Sequence, residues 1–530
     1  MDNMHQHQMP EKSRPSKLFA VEKKDAIFAL CAVLGSIFAA VYGFFGGYSL
    51  GYALSVLLLF VLYAVYFAKD SKFRLFPALC GILALLNSSV FVCTSNASVR
   101  FFTATATFLL SLVCLDGLLF GDTKGNRNTL GVFFGAASTV GKVGFAVASL
   151  FSGKNKSRKT IGKILIGISC ALPVLMVVVP LLISSDHAFH GMVRNIFDNT
   201  FKTVLKTVFG LLVAPFFISY GFSLKAGRVA QLKAGKGRGV ENVYVISFLC
   251  VISACYLLYL FSQLAYFFSA FKGFLPSEGI THAQYARKGF FEMCIIAVIN
   301  FVLVFSTLLA ARKKNGKVCA AIKVLATFIS VFTLIIVATA ISKMVLYIDA
   351  YGMTVLRLTT SAFMVFVTIV FISLILRIYI RKINVIKVAL LAAGCVVLVL
   401  GTVNVNAVCA KYNYESYLSG KLDTIDVVAL YVLGDEGVPY LVKLASAPDE
   451  TVAVEARQYL ARAYTVKYFD NMVEPQAFTV ADLKANRKDH DFARFSFPQK
   501  AAYDSLYAFW EENPGFSTEC CEIWDVAYDD

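Results

Sequence analysis

Ionisable side chains suited to chemistry lie in three short stretches between long apolar runs, SSDHAFHG (184–191), THAQYARKGFFE (281–292) and YGMTVLRL (351–358). Such groups are costly at the level of the lipid headgroups unless they are paired or hydrated. They therefore tend to face the interior of a helix bundle, where these three stretches would build one polar site near the outer face of a membrane. The candidate residues are Asp186, His190, His282, Tyr285, Arg287, Glu292 and Arg357.

Each group also has a simpler explanation. Asp186 and His190 are typical of a solvated, helix-capping loop, and Glu292 and Arg357 are typical of polar contacts between helices. The histidines do not have the spacing of a metal site. The sequence contains no Walker loop, dinucleotide fingerprint, HExxH motif or nucleophile elbow. We therefore predict neither a metal nor a cofactor, and catalysis is the least favoured function.

The solvent for most of the chain is predicted to be lipid. Of 530 residues, 58% are hydrophobic and only 16% are charged, with a mean hydropathy of +0.67. Soluble domains average about a quarter charged residues. A helix needs roughly 20 apolar residues to cross the hydrocarbon core. The sequence contains eleven such runs: 26–46, 48–68, 75–94, 101–120, 164–184, 204–224, 243–271, 289–311, 318–346, 355–376 and 388–408.

The charge distribution predicts the orientation. Residues 1–406 hold 39 Lys and Arg against 13 Asp and Glu, and the basic side chains concentrate in alternate loops. The positive-inside rule then places the basic N-terminus (1–25), which we expect to be disordered, in the cytoplasm of a cell membrane. Residues 131–151 are apolar but contain Lys142, and we predict an interfacial or re-entrant element there. The basic loops are expected to contact anionic lipid headgroups rather than nucleic acid.

The C-terminal segment has a different composition. Residues 407–530 hold 11 Lys and Arg and 21 Asp and Glu, and apolar residues recur at helical spacing over 422–464. An odd number of spans places this segment across the membrane from the N-terminus. The predicted architecture is all-α: a transmembrane bundle over 26–408 and a small, mainly helical, extracytoplasmic soluble domain over 409–530, which could bind a protein partner.

Four blocks of the chain resemble a bacterial membrane family catalogued as domain of unknown function 4173, with a related family numbered 4153. AQYARKGFFE (283–292) is similar to its AxYARxGFFxL pattern, and SSDHAF (184–189) is similar to SADxxF, with Ser185 in place of alanine. YGMTVLRL (351–358) resembles YGLTxLRL, and NYESYLSGKLD (413–423) resembles NxxxYLxGxLD. The resemblance implies a polytopic membrane protein and no particular activity. It also implies shared importance for Asp186, Tyr285, Arg287, Gly289 and Arg357.

Three functions are compatible with these features. The first is a transporter or flippase that uses the polar site, with Pro173, Pro180 and Pro215 redirecting helices around a cavity. The second is a sensor or assembly scaffold that presents the C-terminal domain to a partner. The third is an envelope-modifying enzyme. The three differ in whether Glu292 and Arg357 line a hydrated cavity and in whether the histidines converge.

Overall fold

The computed structural model describes residues 21–45, 49–119, 129–150, 200–227, 240–272, 290–312, 318–380, 382–468 and 495–513. These residues are almost entirely helical, and the β-structure among them is one isolated bridge between Val240 and Ala311. The helices are α1 (Lys23–Phe38), α2 (Leu50–Tyr66), α3 (Leu75–Cys93), α4 (Ala97–Leu119), α5 (Thr129–Val140), α6 (Val143–Leu150), α7 (Thr200–Lys225), α8 (Asn242–Lys272), α9 (Phe290–Ala310), α10 (Ala320–Tyr351), α11 (Val355–Tyr379), α12 (Val385–Thr402), α13 (Val405–Leu418), α14 (Val427–Val432), α15 (Val438–Leu444), α16 (Glu450–Tyr468) and α17 (Phe497–Glu512).

Nine helices in the described part are long and apolar enough to cross a membrane, and each matches one of the eleven predicted spans. Of the remaining two spans, 48–68 corresponds to α2, which has 17 residues, and 164–184 lies outside the described residues. Large apolar side chains remain exposed along these helices: Val251 and Leu258 on α8 are 70% and 72% exposed. Such surfaces are stable in lipid rather than in water. The protein is therefore a helical membrane protein, and eleven spans stays a prediction.

The structure divides into two compact units. The first contains α1, the second half of α2, most of α5, α6 and α7. A fully buried Asp25 accepts hydrogen bonds from the Tyr66 hydroxyl and the Lys225 ammonium group, both at 2.7 Å. Glycines let α1 and α7 approach closely, because a Cβ at Gly210 would lie 2.6 Å from the Ile37 Cα. Small residues at such crossings are typical of helix packing in membranes.

The second unit contains two groups of membrane helices. α3, α4 and α12 form one group, while α8 to α11 pack around a core that includes Ile329, Phe332 and Phe371. α11 joins the groups by packing against α12. Within the second group, Asn300 accepts a hydrogen bond from the Tyr256 hydroxyl at 2.6 Å and donates to the Thr333 hydroxyl at 2.9 Å. Asn300 therefore links α8, α9 and α10 by hydrogen bonds, as polar side chains between membrane helices commonly do.

The chain turns sharply after the last membrane helix. The sequence predicted a span to residue 408, but α12 ends at Thr402 and α13 begins at Val405. Between them Asn404 adopts a left-handed conformation with φ 57°, and its side chain caps α13 by accepting from the Ala407 amide. Asparagine tolerates this conformation better than most residues. The predicted boundary was therefore six residues too late.

The C-terminal segment has a hydrophobic core of its own, in which α14 to α17 pack together and α15 packs against α13. We call this segment, from α13 onwards, the C-terminal domain. Its largest fully buried side chain is Trp510 of α17, which lies among Leu430, Leu441 and Leu460. The helical content predicted for 422–464 is thus present. Residues 469–494 and 514–530 lie outside the described part.

Helix ends give a constraint on the number of crossings. α13 contacts both the loop after α3 and the residues that follow α10, so those two helix ends lie at the same end of the second unit. An even number of crossings must then separate α4 from α10 if every spanning helix crosses completely. The predicted topology has four: 164–184, 204–224, 243–271 and 289–311. Residues 131–150 lie in the short helices α5 and α6, which are separated by a turn at Gly141–Lys142, and their interfacial placement stays a prediction.

We predict that Gly401→Ala destabilises the packing of α12 on α3. A Cβ at Gly401 would lie 2.0 Å from a methyl group of buried Val90, whose branched side chain cannot rotate away freely. Overpacking of this kind costs about 1–3 kcal/mol. Thermal unfolding in detergent should show a lower melting temperature, and the additional substitution Val90→Ala should restore most of it.

Gly144→Ala is the matched control, because a Cβ there meets nothing within 4 Å. It should leave the melting temperature unchanged or raise it slightly. Equal effects of the two glycine substitutions would contradict close packing at Gly401.

Candidate functional site

The polar site predicted from the sequence lies mostly outside the described residues. This holds for Asp186, His190, His282, Tyr285 and Arg287. Glu292 belongs to α9, but its side chain also lies outside the described part. Arg357 is the one candidate whose side-chain contacts the structure gives. The convergence of the seven residues stays a prediction.

Arg357 interacts with the end of the preceding membrane helix. Its guanidinium group donates to the carbonyl oxygens of Tyr351, at 2.9 Å, and Gly352, and it stacks 3.9 Å from the centre of the Tyr347 ring. The last carbonyls of a helix have no partner within the helix, and a cation there also interacts favourably with the helix dipole. Arg357 therefore stabilises the C-terminal end of α10.

The loop between α10 and α11 is held by α13. The Asn413 side-chain oxygen accepts from the Met353 amide at 2.7 Å, and its nitrogen donates to the Met353 carbonyl at 2.8 Å. Gly352 makes this close approach possible, because its φ is +75° and a Cβ would lie 2.7 Å from the Asn413 oxygen. We call this pairing the Asn413 clasp. Its two partners, Met353 and Asn413, come from blocks that carry the family resemblance, YGMTVLRL and NYESYLSGKLD.

An ion pair lies beside the clasp. Lys421 donates to Asp349 at 2.8 Å and to the Tyr412 hydroxyl at 3.1 Å. These hydrogen bonds raise the pKa of Lys421 to about 12, so its contribution to stability is present below its ordinary pKa and is lost only as the pH rises through about 12. Both side chains are about half exposed, which makes the pair a weak contact compared with the clasp.

A second attachment joins the C-terminal domain to the loop between α3 and α4. Glu436 is only 4% exposed, and its carboxylate accepts from the Ser95 amide at 2.7 Å and from the Ser95 hydroxyl. The Asn406 amide group donates to the Leu433 carbonyl at 3.0 Å and to Glu436 at 3.4 Å, and accepts from Asn96 at 2.8 Å. Buried carboxylates require such partners. We call these residues the Glu436 cluster.

Next to the Glu436 cluster, two further side chains donate hydrogen bonds to the end of α3. Asn404 donates to the Cys93 carbonyl at 2.8 Å, and Arg100 donates to the Thr94 carbonyl at 2.7 Å and the Phe91 carbonyl at 3.4 Å. A third contact lies at the start of α2, where the Leu50 amide donates to the Phe495 carbonyl at 3.3 Å. Three membrane loops therefore hydrogen-bond to the domain or to the turn from which it begins.

The contacts in this arrangement attach the C-terminal domain to the membrane helices. Its carboxylate, amide and guanidinium groups contact one another, the Ser95 hydroxyl or helix ends. Within the described residues, no group of three or more His, Cys, Asp or Glu side chains could hold a metal ion. The chemistry visible here is hydrogen bonding that fixes the position of one domain on another.

Sequence reasoning missed Glu436 and Asn404, and it treated Asn413 only as part of the resemblance. A usable signal was present, since two of the four resembling blocks contain the halves of the Asn413 clasp. Glu436 carried no comparable signal, because it lies among the many acidic residues of the C-terminal segment. Its burial depends on a partner 341 positions away, which periodicity cannot reveal.

One family model matches most of the chain. A family model described as "Domain of unknown function (DUF4153)" matches residues 29–444. The match includes the membrane helices, the Asn413 clasp and the Glu436 cluster, and it ends with α15. No curated protein and no solved structure matches the chain. The sequence-based resemblance named family 4173 first and 4153 as its relative. The match is to family 4153.

We predict that Glu436→Gln loosens the domain from the α3–α4 loop. The new amide group would direct hydrogens towards the Ser95 and Asn406 donors, leaving a buried donor unsatisfied at a cost of about 1–3 kcal/mol. Hydrogen–deuterium exchange should become faster at the Ser95 amide and in the first turn of α13. The control is Glu415→Gln, since Glu415 is exposed in an i,i+4 pair with Lys411 and its loss should change little.

We also predict that Asn413→Asp opens the clasp. Aspartate can still accept from the Met353 amide but cannot donate to its carbonyl, and it brings a negative charge against that oxygen. Exchange at the Met353 amide should rise by about tenfold or more. Asp349→Asn, which removes only the neighbouring exposed ion pair, should have a much smaller effect, and equal effects would show that the clasp does not fix the loop.

Proposed function

Because the chain belongs to the DUF4153 family, and because the family match extends through both attachments, we propose that it is a membrane scaffold that presents its C-terminal helical domain to a protein partner. The membrane helices serve as the base. The domain is held at one fixed position on that base rather than tethered by a flexible linker.

The observation that carries the proposal is the double attachment of the domain. Only Val403 and Asn404 separate α12 from α13, so the connection is too short for a swinging linker. The Asn413 clasp and the Glu436 cluster then hold two different membrane loops. A domain whose only task was to be soluble would not need a buried carboxylate at its attachment, because burying one is costly without several partners.

The proposed location is the extracytoplasmic side of the cell membrane. The basic loops that would face the cytoplasm include Lys72 and Arg74 before α3 and Lys387 in the first turn of α12, at the helix ends opposite to the domain. This distribution follows the positive-inside rule. The acidic domain then lies outside, where a folded segment of this size can be translocated regardless of its charge.

Transport receives less support from the described residues. The one candidate of the polar site with described contacts, Arg357, donates to the end of α10 and stacks on the Tyr347 ring. The scaffold proposal instead uses features that are otherwise unexplained. Among them are apolar side chains on the C-terminal domain that remain exposed, such as Val432 of α14 (74%) and Val454 of α16 (46%).

Site-specific photo-crosslinking in living cells tests the proposal. A photoreactive amino acid replaces Val432 or Val454 in the full chain. Because partner recognition requires a presented domain, we expect an adduct of one discrete mass at one or both positions. The control is the same replacement at Val399 of α12, which is exposed within a membrane helix and should react with lipid or give diffuse products.

A second comparison separates presentation from simple proximity. The double variant Glu436→Ala/Asn413→Ala should lower the adduct yield several-fold while the protein level and the membrane insertion stay unchanged. Adducts of equal yield with and without the attachments, or no discrete adduct at either domain position, would exclude the scaffold function.

A further inference from the structure

A cavity lies at the end of the α3–α4–α12 group opposite to the C-terminal domain. Its volume is about 210 Å³, which suits a headgroup-sized fragment better than a drug-sized ligand. Four segments that are distant in sequence line it: residues 74–77 at the start of α3, Val113, Asp116 and Gly117 near the end of α4, Thr129 and Val132 of α5, and Lys387 of α12.

The charge of the cavity favours an anion. Arg74 and Lys387 contribute two positive charges, and Asp116 contributes one negative charge. Asp116 is only 4% exposed, so its carboxylate is buried in the fold. The cationic side chains therefore exceed the carboxylate by one, and Arg74 keeps most of its donors beyond the long 3.5 Å contact that it makes with the Gly117 carbonyl.

Three helix beginnings add to the positive potential. α3 begins directly after Arg74, α5 begins at Thr129, and Lys387 is the third residue of α12. The N-terminal end of a helix carries a partial positive charge, which favours anions. At α12 the Asn384 side chain already accepts from the Lys387 amide, so this helix contributes its dipole. Thr129 also places a hydroxyl group among the lining residues. The helix ends strengthen a site that the two basic side chains already define.

An apolar track leads away from the cavity along α3. Leu75, which lines the cavity, is followed by Leu79, Ile82 and Leu86, all exposed and spaced so that they share one face of the helix. Such a face contacts lipid in a membrane protein. A phospholipid could place its headgroup at the cationic side chains and its acyl chain along this track. A free anion would contact the cationic side chains only.

We propose that this cavity binds the phosphate headgroup of an anionic phospholipid, with Arg74 and Lys387 contacting the phosphate and the α3 track contacting an acyl chain. The site would anchor the membrane base at the face opposite to the C-terminal domain. It is independent of the scaffold function, because none of its residues contributes to the Asn413 clasp or the Glu436 cluster.

Native mass spectrometry of the full-length protein tests the site, with phosphatidylglycerol and zwitterionic phosphatidylcholine titrated in detergent. We expect preferential binding of phosphatidylglycerol, weakened by about a hundredfold in Arg74→Gln/Lys387→Gln, since two charged contacts are lost and each is worth about tenfold. Asp116→Asn should strengthen binding, because it removes the opposing charge. The control is Lys323→Gln, which loses a positive charge at the start of α10, away from the cavity.

Two results would overturn the proposal. One is equal phosphatidylglycerol affinity of the wild-type protein and the double variant. The other is equal affinity of the wild-type protein for phosphatidylglycerol and phosphatidylcholine, because a site for free phosphate gives no preference between the two lipids. If the double variant fails to fold, Asp116→Asn decides alone, because a lipid site there predicts tighter binding and any other role predicts none.

Discussion

The end of a membrane helix leaves carbonyl groups that have no partner within the helix, and in this protein those groups are satisfied from outside it. Arg100 and Asn404 donate to the end of α3, while Arg357 donates to the end of α10 and Asn413 to the loop that follows. Two of these donors belong to the membrane helices and two to the turn and helix from which the C-terminal domain begins. The domain is therefore part of the hydrogen-bonding of the membrane base, and its fixed position follows from that requirement.

The family match has a physical counterpart in this arrangement. It extends to residue 444, beyond the last membrane helix, and so includes α13 and Glu436. The membrane helices and the first part of the C-terminal segment form one structural element, because α13 contributes to both. α16 and α17 lie beyond the match and complete the core around Trp510.

Hydrophobic patterning was sufficient to predict the helical membrane architecture and most helix positions, since length and apolar content decide whether a segment can cross a bilayer. It failed at residues 403–410 (VNVNAVCA), which continue an apolar run. There the side chain of Asn404 caps α13, and α12 ends at Thr402. Hydrophobic patterning also could not predict that Asp25, Asp116 and Glu436 are buried. Asp25 and Glu436 depend on partners that the tertiary structure brings close, and a single sequence contains no such distances.

The long separation between Ser95 and Glu436 has a consequence for biosynthesis. The α3–α4 hairpin enters the membrane when about a fifth of the chain has been made, whereas the carboxylate that its loop requires is synthesised 341 residues later. During most of translation the Ser95 amide and the Cys93 carbonyl must rely on water or on transient partners. A chain released early therefore keeps an incomplete hairpin end, which distinguishes it from the finished protein and offers cellular proteases and chaperones a feature by which to sort the two.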